Sequence, residues 1–304
     1  SHLPGFGGNR YTIRGADAFA LIVFNRVVSH NTQTPQTIST KDPSHWNLIG
    51  QSAQRVDIPS KTNGSAVFGI DVKLPGMLYA AVVQTPIMGG ELSEVEAKDA
   101  LAMQDVVQFI KLPQGLTGSA AGFAVVAKST WKAKQAALSV KAKWMQAKQG
   151  VADTNRIATE LQALVDKPSG FTFYETGNVP EAESAAKQLI QATYIAPYLA
   201  HATMEPMNCT AQFKNGMLEI WMPTQVPSQS VNAAAKVAGV KAENVKINVT
   251  LLGGGFGRRL EVDVIVQAVT VAMACEGAPV QVVWSREEDM THDFYRPMHA
   301  AKLT

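Results

Sequence analysis

The chain has 304 residues, of which 46% are hydrophobic and 17% are charged, and its 27 basic and 25 acidic residues leave a formal net charge of +2. This is the composition of an ordinary globular protein with enough chain for two domains. It argues against nucleic acid as a partner, since no run of basic residues is present. No apolar run approaches the roughly 20 residues of a membrane-spanning helix, and no secretory signal pattern is visible, so cytoplasmic and periplasmic locations both stay open.

The first 150 residues divide into a lead-in and a compact segment. Residues 1–50 are predicted as a lead-in and linker, in which an apolar stretch at 18–28 precedes a polar segment that contains proline. Residues 51–150 alternate short apolar runs with turn residues, which predicts a small α+β domain. Its predicted elements are strands at 66–72, 77–83, 105–113 and 122–129, followed by a helix that passes into a strand over 130–144.

The remaining residues are predicted to form a connecting helix and a second α+β segment. Within 151–170, Asp153 or Thr154 is suited to cap a helix that ends before Pro168. The predicted elements of 171–304 are a β-hairpin with its turn at 214–216, a helix at 230–240, a strand at 245–252, a helix from about 259 to 276, a strand at 278–285 and a solvated turn at 286–289. No terminal element follows the last apolar stretch, so we expect the chain to be a piece of a longer polypeptide.

The stretch LLGGGFGRRLEVD, residues 251–263, places four glycines and two arginines between a predicted strand and a predicted helix. A dinucleotide-binding loop would need a third glycine where Arg258 or Leu260 stands. A phosphate-binding P-loop would need a lysine and a hydroxyl residue after Gly257, where the chain has two arginines. The spacing therefore excludes both of the ordinary nucleotide-binding loops.

The glycine loop still has the properties of a ligand-binding loop. Glycines permit positive φ angles and let a backbone approach a ligand closely. A helix start favours an anion or a polarised oxygen, and Arg258 and Arg259 add positive charge. The alternative is a tight turn whose glycines serve packing and whose arginines face water. Spacing alone leaves both interpretations open.

Other reactive side chains carry weaker signals. The histidines lack the short spacings typical of a metal site. Cys209 and Cys275 are interpreted as small buried apolar residues, with a thiol redox pair as the alternative. Glu205 is interpreted as a buried ion-pair partner rather than an acid–base residue. For His292 and Tyr295, a position beside a bound ligand and ordinary packing both stay open.

Four stretches that occur in a fixed order resemble a known protein family. They are YLAHATMEPMNCTA (198–211), WMPTQVP (221–227), LLGGGFGRRLEVD (251–263) and VVWSREEDMTHDFYRP (282–297). Together they resemble the molybdenum-binding subunit of the xanthine dehydrogenase and aldehyde oxidase family. The Gly-Arg-Arg form of the loop resembles the isoquinoline oxidoreductase beta-subunit branch. The segment 55–83 resembles the hammerhead domain of that family, so the resemblance extends over about 41–304.

The resemblance implies a fold class, a domain order and an activity. The fold class is α+β, with a hammerhead α/β domain over 51–150, a connecting helix at 151–170, and the first, truncated part of a molybdopterin-binding α+β domain over 171–304. The implied activity is that of a molybdenum hydroxylase subunit, which oxidises an N-heteroaromatic or aldehyde substrate with oxygen derived from water. The alternative is a non-catalytic truncated homologue that binds an anionic ligand or a partner protein through the glycine loop.

The resemblance also implies cofactors and partners. The cofactor is molybdenum bound to molybdopterin, in the cytosine dinucleotide form that is usual in this bacterial branch. Electrons leave through [2Fe–2S] clusters of a small iron–sulfur partner subunit. The remainder of the same subunit completes the active site, and no side chain of this chain is expected to bind the metal directly.

The cofactor-binding residues follow from matching positions. Gln225 matches the glutamine whose side-chain amide approaches the apical oxygen ligand of molybdenum, and Phe256 and Gly257 match the loop whose backbone N–H groups face the same oxygen. Such an oxygen accepts hydrogen bonds, so amide and backbone donors are the groups required. The cofactor contacts implied by the resemblance are Gln225, Gly254, Gly255, Phe256, Gly257 and Arg258.

The sequence departs from the family on the substrate side. Purine-oxidising members carry a glutamate four residues after the loop phenylalanine, where this chain has Leu260 with Glu261 beside it. Both are substrate-side candidates, and Leu260 favours an apolar heteroaromatic or an aldehyde over a purine. The family's general-base glutamate matches nothing in this chain, so we expect it beyond Thr304 and predict no catalytic residue here. Whether Arg258 and Arg259 contact a cofactor phosphate or lie on the surface stays open.

Overall fold

The computed structural model describes the strands 2–4 and 10–12 and the residues 39–115, 118–145, 152–167, 170–275 and 277–304. The chain divides into two compact units, Ser1–Ala66 and Val67–Thr304. The predicted apolar stretch at 18–28 lies outside the described residues. No helix in the described ranges is long and apolar enough to cross a membrane.

The first unit contains two paired strands and a short helix. Strands β1 (His2–Pro4) and β2 (Arg10–Thr12) pair antiparallel. Helix α1 covers Ile58–Thr62 and is preceded by Asp57, whose carboxylate accepts hydrogen bonds from Arg55 and Lys61. These are exposed ion pairs, which contribute little to folding.

The second unit is built on a mixed sheet with helices packed against it. Its described strands are β3 (Leu78–Gln84), β4 (Glu91–Glu96), β5 (Val106–Leu112), β6 (Gly122–Ala127), β7 (Lys141–Met145), β8 (Ala192–Ala196), β9 (Asn208–Lys214), β10 (Met217–Met222), β11 (Val245–Val249), β12 (Val280–Val283) and β13 (His299–Leu303). Its described helices are α2 (Lys98–Leu101), α3 (Thr130–Ser139), α4 (Thr154–Val165), α5 (Val179–Ala185), α6 (Pro227–Ala238), α7 (Asp263–Ala274) and α8 (Arg286–Thr291).

The main sheet has seven strands in the order β11-β10-β9-β12-β3-β6-β5. The pairs β10–β11 and β12–β3 are parallel, and the other neighbours are antiparallel. Strands from the predicted hammerhead segment and from the predicted cofactor-binding segment therefore share one sheet. Two smaller sheets pair β4 with β7 and β8 with β13. The mixed α/β architecture agrees with the predicted fold class.

Strand β6 shows why both faces of this sheet are covered. All of its residues are buried, and successive side chains point to opposite faces of a strand. Ala124 and Val126 join the core beneath α6 and α7, whereas Phe123 and Val125 pack on the other side with residues of α3. An apolar strand without polar alternation is typical of a strand covered on both faces.

Several predicted elements are confirmed. The side chain of Asp153 accepts a hydrogen bond from the backbone of Arg156 and caps α4. The hairpin of β9 and β10 turns at Asn215 and Gly216, both with positive φ. The strands predicted over 105–113 and 122–129 and the helix-to-strand passage over 130–144 are also observed.

Three predicted elements were wrong. The strand predicted at 66–72 contains a 3-10 turn at Gly69–Asp71. A Cβ on Gly69 would lie 2.4 Å from both Asn208 Oδ1 and Pro223 Cδ, so this glycine serves a close contact rather than a strand. Helix α7 begins at Asp263 rather than near 259, because a 3-10 turn at Arg258–Leu260 precedes it.

The third error is at 286–289, which was predicted as a solvated turn. These residues form the start of α8, and the Ser285 side chain caps the helix by accepting from the backbone of Glu288. Asp289 is buried and pairs with Arg286. The burial arises because Asp289 also accepts a hydrogen bond from the backbone of Met207, which lies far away in sequence.

We expect Ile220→Ala to destabilise the second unit, because Ile220 lies fully buried in β10. Removing such a side chain costs about 2–5 kcal/mol of unfolding free energy. Equilibrium urea denaturation measures the change. Met217→Ala is the control, since Met217 is 50% exposed on the same strand. Equal losses for the two variants would contradict the placement of the core.

Candidate functional site

The glycine loop leaves β11 with a backbone that favours glycine. The φ angles of Gly254 and Gly257 are +102° and +105°. Phe256 adopts a φ of +53° although it carries a side chain, and the residue is 76% exposed. A non-glycine residue in this region stores strain of about 1 kcal/mol or more, which surrounding contacts must offset.

Two glycines of the loop are required by close contact instead. A Cβ on Gly253 would lie 2.3 Å from the Cβ of Glu205, and a Cβ on Gly255 would lie 2.7 Å from Gln225 Oε1. Real Cβ atoms do not approach other atoms so closely. The loop therefore lies directly against Glu205 on one side and Gln225 on the other.

Glu205 is the centre of a buried hydrogen-bond network. Its Oε2 accepts from the backbone N–H of Gly253 at 2.8 Å and from Arg259 Nη2 at 3.0 Å. Its Oε1 accepts from the backbone of Ile70 and from Asn208 Nδ2, each at 3.0 Å. All these donors come from the protein itself. The interpretation of Glu205 as a buried ion-pair partner is therefore confirmed.

Arg259 connects the loop to the segment that carries Gln225. Its side chain is 0% exposed, and its Nε donates to the carbonyl of Gly254 at 2.7 Å. Its own carbonyl accepts from the backbone N–H of Gln225 at 3.0 Å. Burial lowers the pKa of Arg259, and the charge of Glu205 acts in the opposite direction.

Arg258 points to a second set of carboxylates. Its Nη1 and Nη2 donate to the two carboxylate oxygens of Asp263 at 3.1 and 2.7 Å, and its Nε lies 3.0 Å from Asp293 Oδ1. The guanidinium carbon lies 5.4 Å from the centre of the Trp284 ring and 5.3 Å from that of the Phe294 ring. Burial acts against its charge, but the two aspartates outweigh burial and raise the pKa of Arg258.

The two arginines are therefore neither surface residues nor open phosphate ligands. Both side chains are almost fully buried and ion-paired within the protein. A buried charge without its partner is costly, which explains why carboxylates accompany each guanidinium. Arg258 was predicted as a cofactor contact, but its guanidinium lies behind the loop. Its backbone N–H closes the loop by donating to Gly255.

The helix start is not part of the loop either. Asp263 stands at the first position of α7, and its carboxylate is taken by Arg258. Between the loop and the helix, Leu260 is 46% exposed and Glu261 is half-buried. Both predicted substrate-side residues thus follow the loop on the chain, with Leu260 the more open of the two.

Several hydrogen-bond donors of the loop have no acceptor among the described residues. The N–H groups of Gly254, Gly255 and Phe256 donate to no acceptor within the part of the chain that the structure describes. The N–H of Gly257 donates to Gln225 Oε1 at 3.3 Å. This orientation leaves the Nε2 of the exposed Gln225 without an acceptor among the described residues. The loop therefore presents backbone donors with an amide donor beside them.

This donor set fits an oxygen acceptor. Backbone and amide N–H groups that are fixed before binding stabilise an oxygen acceptor without reorganisation. Among the described residues, no group of three or more His, Cys, Asp or Glu side chains is arranged to hold a metal ion. The N–H groups of the loop and the Gln225 amide are thus suited to hydrogen-bond an oxygen-bearing group.

His292 and Tyr295 lie in the wall of a cavity of about 770 Å³, which the loop residues do not line. The imidazole of His292 contacts Glu288 Oε2 and the carbonyl of Thr85, at 3.1 and 3.0 Å. Burial lowers the pKa of His292, but the contacts with Glu288 and Thr85 outweigh it and raise the pKa. The structure therefore does not bring these two residues to the loop.

Sequence reasoning missed the partners of the arginines. Asp263 and Asp293 each lie in a stretch that carries the family resemblance, yet neither had a predicted role. The available signal was charge balance, because two adjacent arginines between apolar elements need carboxylates when they are buried. His201, which pairs with Asp293, was missed for the same reason.

Residues 164–304 match the family model of the molybdopterin cofactor-binding domain. The chain is 31% identical over 283 residues to isoquinoline 1-oxidoreductase subunit beta of Brevundimonas diminuta, which covers 88% of this chain and 34% of that protein. It is 30% identical over 259 residues to a membrane-bound aldehyde dehydrogenase (pyrroloquinoline-quinone) of Gluconacetobacter polyoxogenes, covering 84% and 34%.

A solved structure shows a similar fold. Quinoline 2-oxidoreductase from Pseudomonas putida 86 aligns with a TM-score of 0.60 at 20% identity, over 79% of this chain and 35% of that chain. The chain thus spans about a third of the length of the proteins that it matches.

We expect Glu205→Gln to destabilise the second unit strongly, because it leaves Arg259 buried without its counter-charge. Breaking a buried ion pair in this way costs about 3–5 kcal/mol. Glu94→Gln is the control, since the Glu94–Lys143 pair is largely exposed and should contribute about 0–1 kcal/mol. Chemical denaturation of both variants measures the difference. A loss for Glu205→Gln no larger than that of the control would contradict the network.

Proposed function

This chain belongs to the molybdenum-binding subunits of the xanthine dehydrogenase and aldehyde oxidase family, and from this premise we propose that its glycine loop and Gln225 hold the molybdopterin-bound molybdenum of a hydroxylase. One observation carries the proposal. The open N–H groups of the loop lie beside an exposed amide, and Arg259, which is paired with Glu205 in the interior, hydrogen-bonds to Gly254 of the loop and to the backbone N–H of Gln225. A catalytic site gains from donors that are fixed before the reaction begins.

The residues of this chain act on the cofactor by positioning and hydrogen bonding. When bound, the cofactor supplies the redox centre that hydroxylates a substrate with oxygen from water. Gln225 Nε2 and the N–H groups of Gly255 and Phe256 donate to an oxygen acceptor of the cofactor. The N–H of Gly257, which the resemblance also implies as a donor, instead donates to Gln225 Oε1. Arg259 holds the carbonyl of Gly254 and the backbone of Gln225, and so fixes the distance between the two kinds of donor.

The substrate side follows from the residues next to the loop. Phe256 exposes its ring above the loop, and Leu260 adds an apolar surface after it. Apolar walls favour an N-heteroaromatic ring or an aldehyde over a purine, which would need polar anchors. The names of the two relatives, an isoquinoline oxidoreductase and an aldehyde dehydrogenase, support this substrate class. Glu261 is half-buried beside Leu260 and is a weaker candidate.

The finer assignments belong to the same proposal. The cofactor is the cytosine dinucleotide form of molybdopterin, and electrons leave through [2Fe–2S] clusters on a small iron–sulfur subunit. The name of the aldehyde dehydrogenase relative mentions pyrroloquinoline quinone, but the family match over 164–304 favours molybdopterin for this chain. The remainder of the subunit supplies the general-base glutamate. The domain order is a hammerhead domain over 51–150, a connecting helix at 151–170 and the cofactor-binding domain over 171–304.

Metal analysis tests the proposal against a non-catalytic binding module. Full-length protein purified with its partners from the native source should contain about one molybdenum per complex, together with iron. Mass spectrometry of the released cofactor identifies the pterin and its nucleotide. Metal-free protein from intact full-length chains would contradict the hydroxylase proposal and favour the binding module.

We expect Gln225→Ala in the complete enzyme to lower turnover roughly 10- to 1000-fold, because one fixed donor is removed. Gln229→Ala is the matched control, since Gln229 is exposed on α6 four residues later. Steady-state kinetics with an N-heteroaromatic substrate compares the two. Turnover that is the same in both variants would show that Gln225 has no such role.

A further inference from the structure

The elements between residues 152 and 200 have regular structure but no core of their own. Among the described residues of this stretch, none is buried. Helix α4 carries Ile157, Leu161 and Val165 at the spacing of one helix face, yet each of them is only half-buried. Most of the stability of a helix in a protein comes from packing of its apolar face. Helix α4 therefore needs more cover than the described residues provide.

Strands β8 and β13 form a two-stranded ribbon that is equally uncovered. Among the described strands they pair only with each other, and neither contains a buried residue. The ladder continues to Leu199 and Arg296, where the N–H of Arg296 donates to the carbonyl of Leu199. A two-stranded ribbon is marginally stable in water and needs a third strand or a packed face.

One face of this ribbon is apolar and open. Residues two apart on a strand share a face, and so do residues paired across two strands. The register therefore places Tyr194, Tyr198 and Leu303 on one face, where they are 59%, 41% and 61% exposed. We call this surface the tyrosine face. Its other members are Ala192, Ala196, His299 and Ala301. None of these residues is Asp, Glu, Lys or Arg.

Helix α4 lies towards the opposite face of the ribbon. It contacts β13, and Lys302 pairs with Asp166, which directly follows α4. Lys302 precedes Leu303 on the strand, so the two side chains point to opposite faces. The exposure of Tyr194 and Leu303 shows that no comparable layer of the described residues covers the tyrosine face.

The ribbon leads directly to the ion pairs behind the glycine loop. Two residues after Leu199, the backbone N–H of His201 donates to the carboxylate of Asp293. Asp293 Oδ1 also lies 3.0 Å from Arg258 Nε. A segment that packs on the ribbon is therefore only a few residues along the chain from the cluster that supports the loop.

We propose that the tyrosine face is the docking surface for the part of the same full-length subunit that lies outside this sequence, and that the segment which packs there is apolar and extended. The chain spans only 34% of each of two relatives, so most of such a subunit lies outside this sequence. A segment tethered on the same chain is present at high effective concentration.

The chemistry of the surface favours this occupant over a separate protein. Elements without a core need their cover in order to stay folded, and interfaces of that permanent kind resemble a domain core. Charged groups, which steer encounters between separate proteins, are missing from the tyrosine face. The inference rests on the family membership and the length of the relatives, and it does not depend on the identity of the cofactor.

Photochemical crosslinking in the full-length protein, purified with its partners, identifies the occupant. A benzophenone amino acid replaces Tyr194 in one variant and Thr193 in the control. Thr193 is also exposed on β8, but its side chain points to the opposite face. After irradiation, mass spectrometry identifies the crosslinked peptides, and gel electrophoresis shows whether they join two chains.

We expect position 194, but not position 193, to crosslink within one chain to a peptide of the same subunit outside this sequence. Crosslinks from position 194 to a smaller partner subunit or to a second copy of the subunit would overturn the inference. The same peptide crosslinked from both positions would also overturn it, because the contact would then not be specific to the tyrosine face.

Hydrogen exchange of the unsubstituted full-length protein gives a second test that needs no variant. Amides of 192–196 and 299–303 should exchange at least about 100-fold more slowly than those of an unstructured peptide, as amides in packed sheets do. Exchange at the unstructured rate would overturn the inference. Molybdenum-loaded protein with an uncovered ribbon would overturn the docking surface alone, whereas molybdenum-free protein with the expected crosslink would overturn the hydroxylase proposal alone.

Discussion

The buried ion pair between Arg259 and Glu205 is the interaction on which the loop geometry depends. The Glu205 carboxylate accepts a hydrogen bond from the backbone N–H of Gly253. The Arg259 side chain donates to the carbonyl of Gly254, and the Arg259 carbonyl accepts from the backbone N–H of Gln225. The pair thus replaces the water that would otherwise solvate the polar groups of a glycine-rich backbone. Because a buried charge is tolerated only with its partner, the two residues constrain each other, and with them the distance between the loop and the Gln225 amide.

The neighbouring Arg258 stabilises the other end of the loop through Asp263 and Asp293. Adjacent residues in a short 3-10 turn point their side chains in different directions, so two consecutive arginines reach two separate carboxylate clusters. The two arginine side chains beside the loop are therefore ion-paired inside the protein. Phe256, two residues before Arg258, adopts a positive φ and is largely exposed. The loop donors that have no acceptor among the described residues are neutral N–H groups. Such donors suit an oxygen acceptor.

Local features of the fold could be predicted from the sequence, whereas contacts between distant residues could not. The Asp153 cap and the turn at Asn215 and Gly216 depend on a few neighbouring residues, and both predictions were right. The strand predicted at 66–72 was wrong because Gly69 is placed by Asn208, which lies 139 residues later in the chain. The roles of Arg258 and Arg259 were open for the same reason, since Asp293 and Glu205 lie far from them in sequence. Loop spacing alone excluded nucleotide-binding loops but identified no ligand, and only the four ordered motifs pointed to molybdopterin.

The central claim is that this chain presents fixed neutral donors to one oxygen acceptor while its arginines stay buried. A crystal structure of the full-length, cofactor-loaded protein tests it most directly. The account predicts a cofactor oxygen within about 3.2 Å of Gln225 Nε2 and of a loop N–H, with both guanidinium groups still paired to their carboxylates. A cofactor held elsewhere, or an Arg258 or Arg259 side chain turned outward onto a cofactor phosphate, would contradict it.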